Sequence, residues 1–247
     1  MPAAPLSELV PPPERGRVFE QSMRPGLADC APSGRIRLDG LARWLQDVAY
    51  ADVEDAGLAS SAVWVVRRTR ISVTRFPRFA EMCKLTTFCS GLGRMWAERR
   101  TTIDGAEGRG PGVEAVSLWV HLDPATWRPV PFTEEEIAVY GHAADGRRVS
   151  ARLRHPSPAA GASERVWRFR STECDLAGHI NNAAYWQPLE EELLQRSNDA
   201  EPDRLDAEIE FRTPAQPGDK VVLRDRDHRW IVGIEGETHA SMFVNGV

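Results

Sequence analysis

No run of about 18 apolar residues occurs anywhere in the chain, so no segment reads as a membrane-spanning helix. Cysteine is scarce, four in 247 residues, with no CxxC pair and no histidine at metal-ligand spacing; that excludes a zinc module and makes a disulfide framework unexpected. Lysine is almost absent, two residues against 29 arginines, which reads as genomic bias rather than as a site. Positive charge is in deficit, 31 basic residues against 36 acidic ones. No overall field therefore draws the protein to nucleic acid or to anionic lipid. No phosphate-binding loop, zinc-hydrolase helix or nucleic-acid module is recognisable. The N-terminal stretch, MPAAPLSELVPPPERGR, carries prolines where a signal peptide needs an apolar core. It reads as a loose leader, and the expected compartment is the cytoplasm. What is present is an ordinary globular balance, 42% hydrophobic and 27% charged.

Leu38, Leu41, Leu45, Val48, Ala49 and Ala56 recur at helical spacing, with Gly57 as the stop. A strand is expected ahead of this helix, and four follow it, at 63–73, 83–89, 95–103 and 114–122, with a glycine-rich tip over 104–112. Residues 131–164 are charged and patternless and end with linker composition. Beyond them come a strand at 165–171, a polar motif at 175–185, and an apolar helical stripe through Tyr185, Leu189 and Leu193. Four more strands are expected at 207–212, 220–223, 230–235 and 239–244. The order strand, helix, strands thus occurs twice, the mark of a duplicated unit. The expected fold is α+β, a tandem (double) hotdog of two mostly antiparallel sheets, each wrapped around a long helix. Its expected divisions are a leader (1–16), a first unit (17–130), a linker (131–164) and a second unit (165–247) carrying the polar motif.

That motif reads Cys174-Asp-Leu-Ala-Gly-His-Ile-Asn-Asn-Ala-Ala-Tyr-Trp186. It offers a carboxylate (Asp175), a glycine suited to a tight turn (Gly178), an imidazole (His179) and two carboxamides (Asn181, Asn182) just before a helix. Asn181 and Asn182 are natural N-caps, and backbone N–H groups near Gly178 or at the helix start suit an oxyanion. Asp175 can activate water or attack directly, and His179 can polarise a carbonyl or relay a proton. The same residues also serve purely structural ends, a helix cap and a pinned turn.

The stretch resembles the His-[Ile/Val]-Asn-Asn-x-x-Tyr signature of the plant and bacterial acyl-ACP thioesterases. Asp29, Gly34, Gln46-Asp-Val-Ala49, Trp64-Val-Val-Arg-Arg, Arg75-Phe-Pro77 and Ser117-Leu-Trp-Val-His-Leu-Asp123 stand in similar order in the first half. Asp175-Leu-Ala-Gly-His-Ile180 also resembles the Asp-x-Ala-Gly turn of the 4-hydroxybenzoyl-CoA thioesterase group, which implies Asp175 as base or nucleophile. These resemblances imply a hydrolase of fatty acyl thioesters acting in lipid metabolism. Its expected partners are acyl carrier protein or coenzyme A, with a homodimer allowed, and it needs no cofactor and no metal. The sequence departs from the plant-type pattern at Ala177, where an asparagine is expected, and at Pro214 and Ala215, where an acid and a cysteine are. The corresponding first-half turn, Asp29–Gly34, has a longer spacing and lacks the histidine and asparagines, so one site per chain is expected.

Two further carboxylates are candidates. Glu190 falls at the edge of the second helical stripe, where Pro188 should kink or delay the helix. Asp52 lies inside the apolar arc of the first, where it must be paired or face a cavity. The run Arg67, Arg68, Arg70, Arg75, Arg78 offers alternate arginines either as a dock for an acidic carrier or as a solvated sheet edge. Two competing functions remain open on sequence: a non-catalytic acyl-thioester sensor or scaffold, which Ala177 and Pro214 favour, and a hotdog dehydratase or hydratase.

Overall fold

The first apolar stripe forms α1 (Leu38–Asp55), and Leu38, Leu41, Leu45 and Val48, three and four residues apart, are fully buried along one face. β1 (Val18–Met23) precedes it, and β2 (Val63–Val73), β3 (Cys83–Leu92), β4 (Trp96–Gly105) and β5 (Pro111–Leu122) follow. The second half repeats this order: β6 (Ser163–Phe169), α3 (Gln187–Gln195), β7 (Leu205–Phe211), β8 (Gly218–Asp225), β9 (His228–Gly233) and β10 (Thr238–Asn245). As expected of Pro188, residues Asn182–Trp186 wind as a 3-10 helix and the α-helix starts only at Gln187. Pro188 has no N–H to give to the preceding turn. This computed structural model describes residues 6–105, 110–195, 202 and 204–245; part of the expected tip, 106–109, lies outside them.

The expectation of two sheets is corrected. All ten strands form one antiparallel sheet in the order β1-β3-β4-β5-β2-β7-β10-β9-β8-β6. Each half repeats the other's internal order, so the duplication is plain, but β2 and β7 pair with each other and fuse the two copies. Arg68 stands opposite Glu210 and Arg70 opposite Glu208 along this seam. Pairing satisfies the backbone donors and acceptors that two separate sheets would leave open on those strands. α1 and α3 lie on one face, over a core containing Ile71, Val73, Ala207 and Ile209. The alternation of β-strands sends Arg68, Arg70, Glu208 and Glu210 to the other face.

That other face is covered by chain that the composition marks as leader and linker. Ser7 is 5% exposed; its N–H donates to Glu208 Oε2 (2.8 Å), and its Oγ accepts from Arg68 Nε (2.9 Å). Arg154 Nη2 donates to Glu208 Oε1 (2.8 Å), and the N–H groups of Arg154 and His155 donate to Glu210 (2.7 and 3.0 Å). Buried carboxylates must be matched by donors, and these two recruit both segments, so the leader is tied down at Ser7. The segment 131–164 also contains α2 (Glu134–Ala144), which starts with a capping box between Thr133 and Glu136 and packs against β3.

β2 is thus central, not an edge, and most of the arginine run is consumed internally. Arg70 pairs with Asp206 (2.8 Å), Arg75 with Glu81 (2.8 Å), and Arg67 donates to the Phe211 carbonyl (2.9 Å). The arginine dock is therefore not available as read. Among the described residues no helix is long and apolar enough to cross a membrane.

Candidate active site

The motif folds into a closed turn. Cys174 bridges Ile180, Asp175 N donates to the His179 carbonyl (3.0 Å) and Gly178 N to the Asp175 carbonyl (3.0 Å). Gly178 sits at φ +75°, a conformation that a Cβ would strain. The Asp175 carboxylate is oriented from both sides: Oδ1 accepts from Ala177 N (2.9 Å) and Oδ2 from Asn181 Nδ2 (3.4 Å). Asn181 also caps the 3-10 helix, its Oδ1 accepting from Ala183 N (2.8 Å). The N–H of Gly178 is spent inside the turn, as is that of Ala183 on the cap. Of the oxyanion and turn roles expected of Gly178, its N–H is engaged in the turn.

The same hydrogen bonds occur in the first half. Ala31 N donates to the Arg35 carbonyl (2.8 Å), Gly34 N to the Ala31 carbonyl (2.9 Å), and Cys30 bridges Ile36. Ile36 N donates to Pro77, as Ile180 N does to Ala215. The two turns are equal in length, against the longer first-half spacing expected from matching Asp29 to Asp175. Ala31, Arg35 and Arg37 stand where the second copy has Asp175, His179 and Asn181. The first-half turn therefore carries no carboxylate at the position of Asp175.

A cavity of about 600 Å³ is lined by α1 and first-half strands, and by residues of the second-half turn. Asp175, Asn181 and Asn182 line it together with Leu176 and Ala177; Gly178 and His179 do not. Leu176, Tyr50 and Trp127, all exposed, are among its lining residues. Val53, Cys89 and Tyr140, which also line the cavity, belong to a separate apolar cluster. Burial pushes the Cys89 thiol up to about 11, so it is protonated near neutral pH.

The secondary carboxylates fall elsewhere. Asp52, 1% exposed, is paired with Arg17 (2.6 Å) and Arg99 (2.6 Å) and does not line the cavity, though Arg99 does. Glu190 bonds Arg35 Nη2 (2.8 Å) and accepts from Leu38 N (3.0 Å) at the start of α1. It is a buried helix cap and ion-pair partner, outside the cavity. Conversely, Gln46 and Asp47 of α1 line the cavity with the turn residues; the sequence marked them for the family resemblance but not as site residues. Partial burial, reinforced by Asp29 and opposed by Arg43, holds the Asp47 carboxyl above its usual range. Their position on the rim of the apolar stripe was the available signal.

His155, Glu208 and Glu210 lie close enough together to share a cation, but they sit at the seam with their carboxylates already held by Arg154, Ser7 and backbone N–H groups. That donor set is already matched by positive partners, and it is not the cavity.

The acyl-ACP thioesterase N-terminal domain family matches residues 16–140, slightly more than half the chain. The uncharacterized protein Rv2001 of Mycobacterium tuberculosis is 28% identical over 225 residues, covering 91% of this chain and 88% of that protein. An acyl-ACP thioesterase from Bacteroides thetaiotaomicron superposes with a TM-score of 0.74 at 15% identity, covering 92% of this chain and 96% of its own. The 12:0-ACP thioesterase from Umbellularia californica gives 0.70 at 15%, covering 93% and 97%. These structures share the fold. With more than half its length matched, the chain belongs to the acyl-ACP thioesterase family and is a thiolester hydrolase.

Proposed function

We propose that the chain hydrolyses fatty acyl thioesters of acyl carrier protein or coenzyme A, with Asp175 as general base or nucleophile. The observation that carries this reading is that Asp175, Asn181 and Asn182 together line a mainly apolar cavity. The acyl chain lies between α1 and the sheet, and the thioester carbonyl sits at the turn. Asp175, held by Asn181 and the Ala177 N–H, takes a proton from water as its oxygen attacks the carbonyl carbon. The alternative is direct attack, giving an acyl–carboxylate anhydride that water then opens. In both routes the C–S bond breaks, and the thiolate leaves and takes up the proton. The Asn182 and Gln46 side-chain amides line the cavity and are able to donate to the carbonyl oxygen. His179 supports the turn through its backbone carbonyl, and its imidazole is assigned a lesser, orienting role.

Thiol release from acyl-CoA and acyl-carrier panels tests this. Asp175→Asn should lower kcat by about three orders of magnitude with unchanged thermal unfolding. Hydrolysis at the wild-type rate in that variant would remove Asp175 from the mechanism. Ala177 lies in the cavity where an asparagine was expected, which favours the sensor reading as the alternative. Tight acyl-CoA binding without release from any substrate would establish that alternative.

A further inference from the structure

The match between the two turns runs on in both directions. Asp29 N donates to the Gly26 carbonyl as Glu173 N does to that of Arg170, and Arg37 N donates to Asp29 as Asn181 N does to Glu173. α1 starts at Leu38, and the 3-10 segment that leads into α3 starts at Asn182. Beyond these starts the buried positions keep step: Leu41 with Tyr185, Leu45 with Leu189, Ala49 with Leu193. Gln46 stands as far beyond Leu38 as Glu190 does beyond Asn182, so Gln46 of α1 is the counterpart of Glu190 of α3.

In the first-half turn Glu190 supplies an anionic oxygen from the opposite helix. Its Oε2 accepts from Leu38 N (3.0 Å) and its Oε1 from Arg35 Nη2 (2.8 Å), which matches an N–H that the helix itself cannot pair. In the second-half turn that oxygen is not supplied by the chain. The N–H of Asn182, counterpart of Leu38 N, has no hydrogen-bond partner among the described residues, and neither has the Gln46 side-chain amide. No atom of that amide is sealed from solvent without a partner, so it reaches open space. α1 packs against the 3-10 segment. Gln46 and Asn182 border the large cavity together, and together they also border a narrow one of about 10 Å³. A carboxylate can only accept, whereas a carboxamide also donates. Where Glu190 fills the first copy's place with its own oxygen, Gln46 leaves it to a ligand oxygen and brings a donor to it.

We propose that Gln46 is a catalytic residue, whose side-chain N–H, with the N–H of Asn182, holds the thioester carbonyl oxygen as it becomes negative. This rests on the thioesterase reading above. As the attacking oxygen bonds to the carbonyl carbon, the C=O π pair moves onto the carbonyl oxygen. It returns when the C–S bond breaks, and Gln46 exchanges no proton in the process. Donors already in place where that charge develops lower the barrier. The base then comes from the second copy and the oxyanion donor from the first.

The experiment measures kcat on the best-cleaved thioester of the acyl-CoA and acyl-carrier panels, and the dissociation constant of the matching S-alkyl thioether, which lacks the carbonyl oxygen. Gln46→Ala should lower kcat about a hundredfold and leave thioether affinity within threefold of wild type. Gln46→Glu should be impaired at pH 7, where its carboxylate can only repel the oxyanion. Its kcat relative to wild type should rise at least tenfold between pH 7 and pH 5, because the protonated acid regains a donor. A kcat for Gln46→Ala within tenfold of wild type overturns the proposal, as does a larger loss of thioether affinity or a pH-independent Gln46→Glu ratio; each leaves the thioesterase reading standing. A wild-type chain that cleaves no member of either panel removes that reading, and this assignment with it.

Discussion

Glu208 provides a test of the seam that can be read by its proton. Its carboxylate accepts from Ser7 N and Arg154 Nη2, each at 2.8 Å, with His155 Nε2 at 3.5 Å. Burial alone would raise its pKa, but His155, Ser7 and Arg154 outweigh it and hold the group at about 2, against an ordinary 4.5. Each tenfold change in proton affinity is worth about 1.4 kcal/mol, so ionised Glu208 contributes roughly 3 kcal/mol. The folded value is the depressed one. The contribution is therefore fully present above pH 4.5 and is lost as pH falls from there towards 2; by pH 3 about 2 kcal/mol of it has gone. Glu208→Gln does not titrate, so subtracting its unfolding free energy from that of wild type cancels the other carboxylates. Urea unfolding followed by tryptophan fluorescence should show the variant less stable by about 3 kcal/mol at pH 7, and by only about 1 kcal/mol at pH 3. A difference that stays constant across that range would refute the assignment of Glu208 as the ionised hub joining leader, linker and sheet.

Other outcomes follow from the placement of individual groups. Glu190→Gln deprives the buried Arg35 of its carboxylate and should cost about 3–5 kcal/mol in urea unfolding, while the folded variant keeps its kcat; a loss below 1 kcal/mol would contradict the buried pairing. Asn181→Ala removes both a helix cap and a hydrogen bond to Asp175, so it should lower stability by about 1 kcal/mol and kcat by at least tenfold. His179→Ala should change kcat less than Asn181→Ala does, since its ring lies off the cavity; the reverse order in steady-state kinetics would return His179 to the chemistry. Cys89, held near 11, should resist iodoacetamide at pH 7 with activity retained. Rapid inactivation traced to Cys89 by mass spectrometry would show that its thiol is ionised.

Elements with a dense local signal were legible in the sequence. α1 and β2 fall almost where Leu38–Ala56 spacing and the β-branched run at 63–73 put them. Asp175, Asn181 and Asn182, singled out in the 174–186 motif, line the cavity. α2 was missed because only Glu136, Tyr140, Ala143 and Ala144 are buried along it, too few to write a stripe among its charges. The single sheet was missed because the β2–β7 pairing joins strands far apart in the chain, and no local pattern encodes a partner. The turn correspondence was misread because Asp29 invites matching with Asp175. The backbone bonds match Ala31 instead, and they are visible only in three dimensions. Gln46 and Asp47 were not read as site residues because what makes them so is the cavity they border, which is assembled from both halves.

The β2–β7 pairing also acts as a gauge for the site. The carboxylate comes from one copy and most of the cavity wall from the other, so their relative position depends on the register of this seam. A slip of one residue would turn Glu208 and Glu210 towards the helices and Ala207 and Ile209 away from them. The opposed charges of Arg68 with Glu210 and Arg70 with Glu208 make such a slip costly. Alignment of the two halves is thus written into the strand pairing itself, and a chain divided between them would lose its reacting geometry even if each half kept its shape.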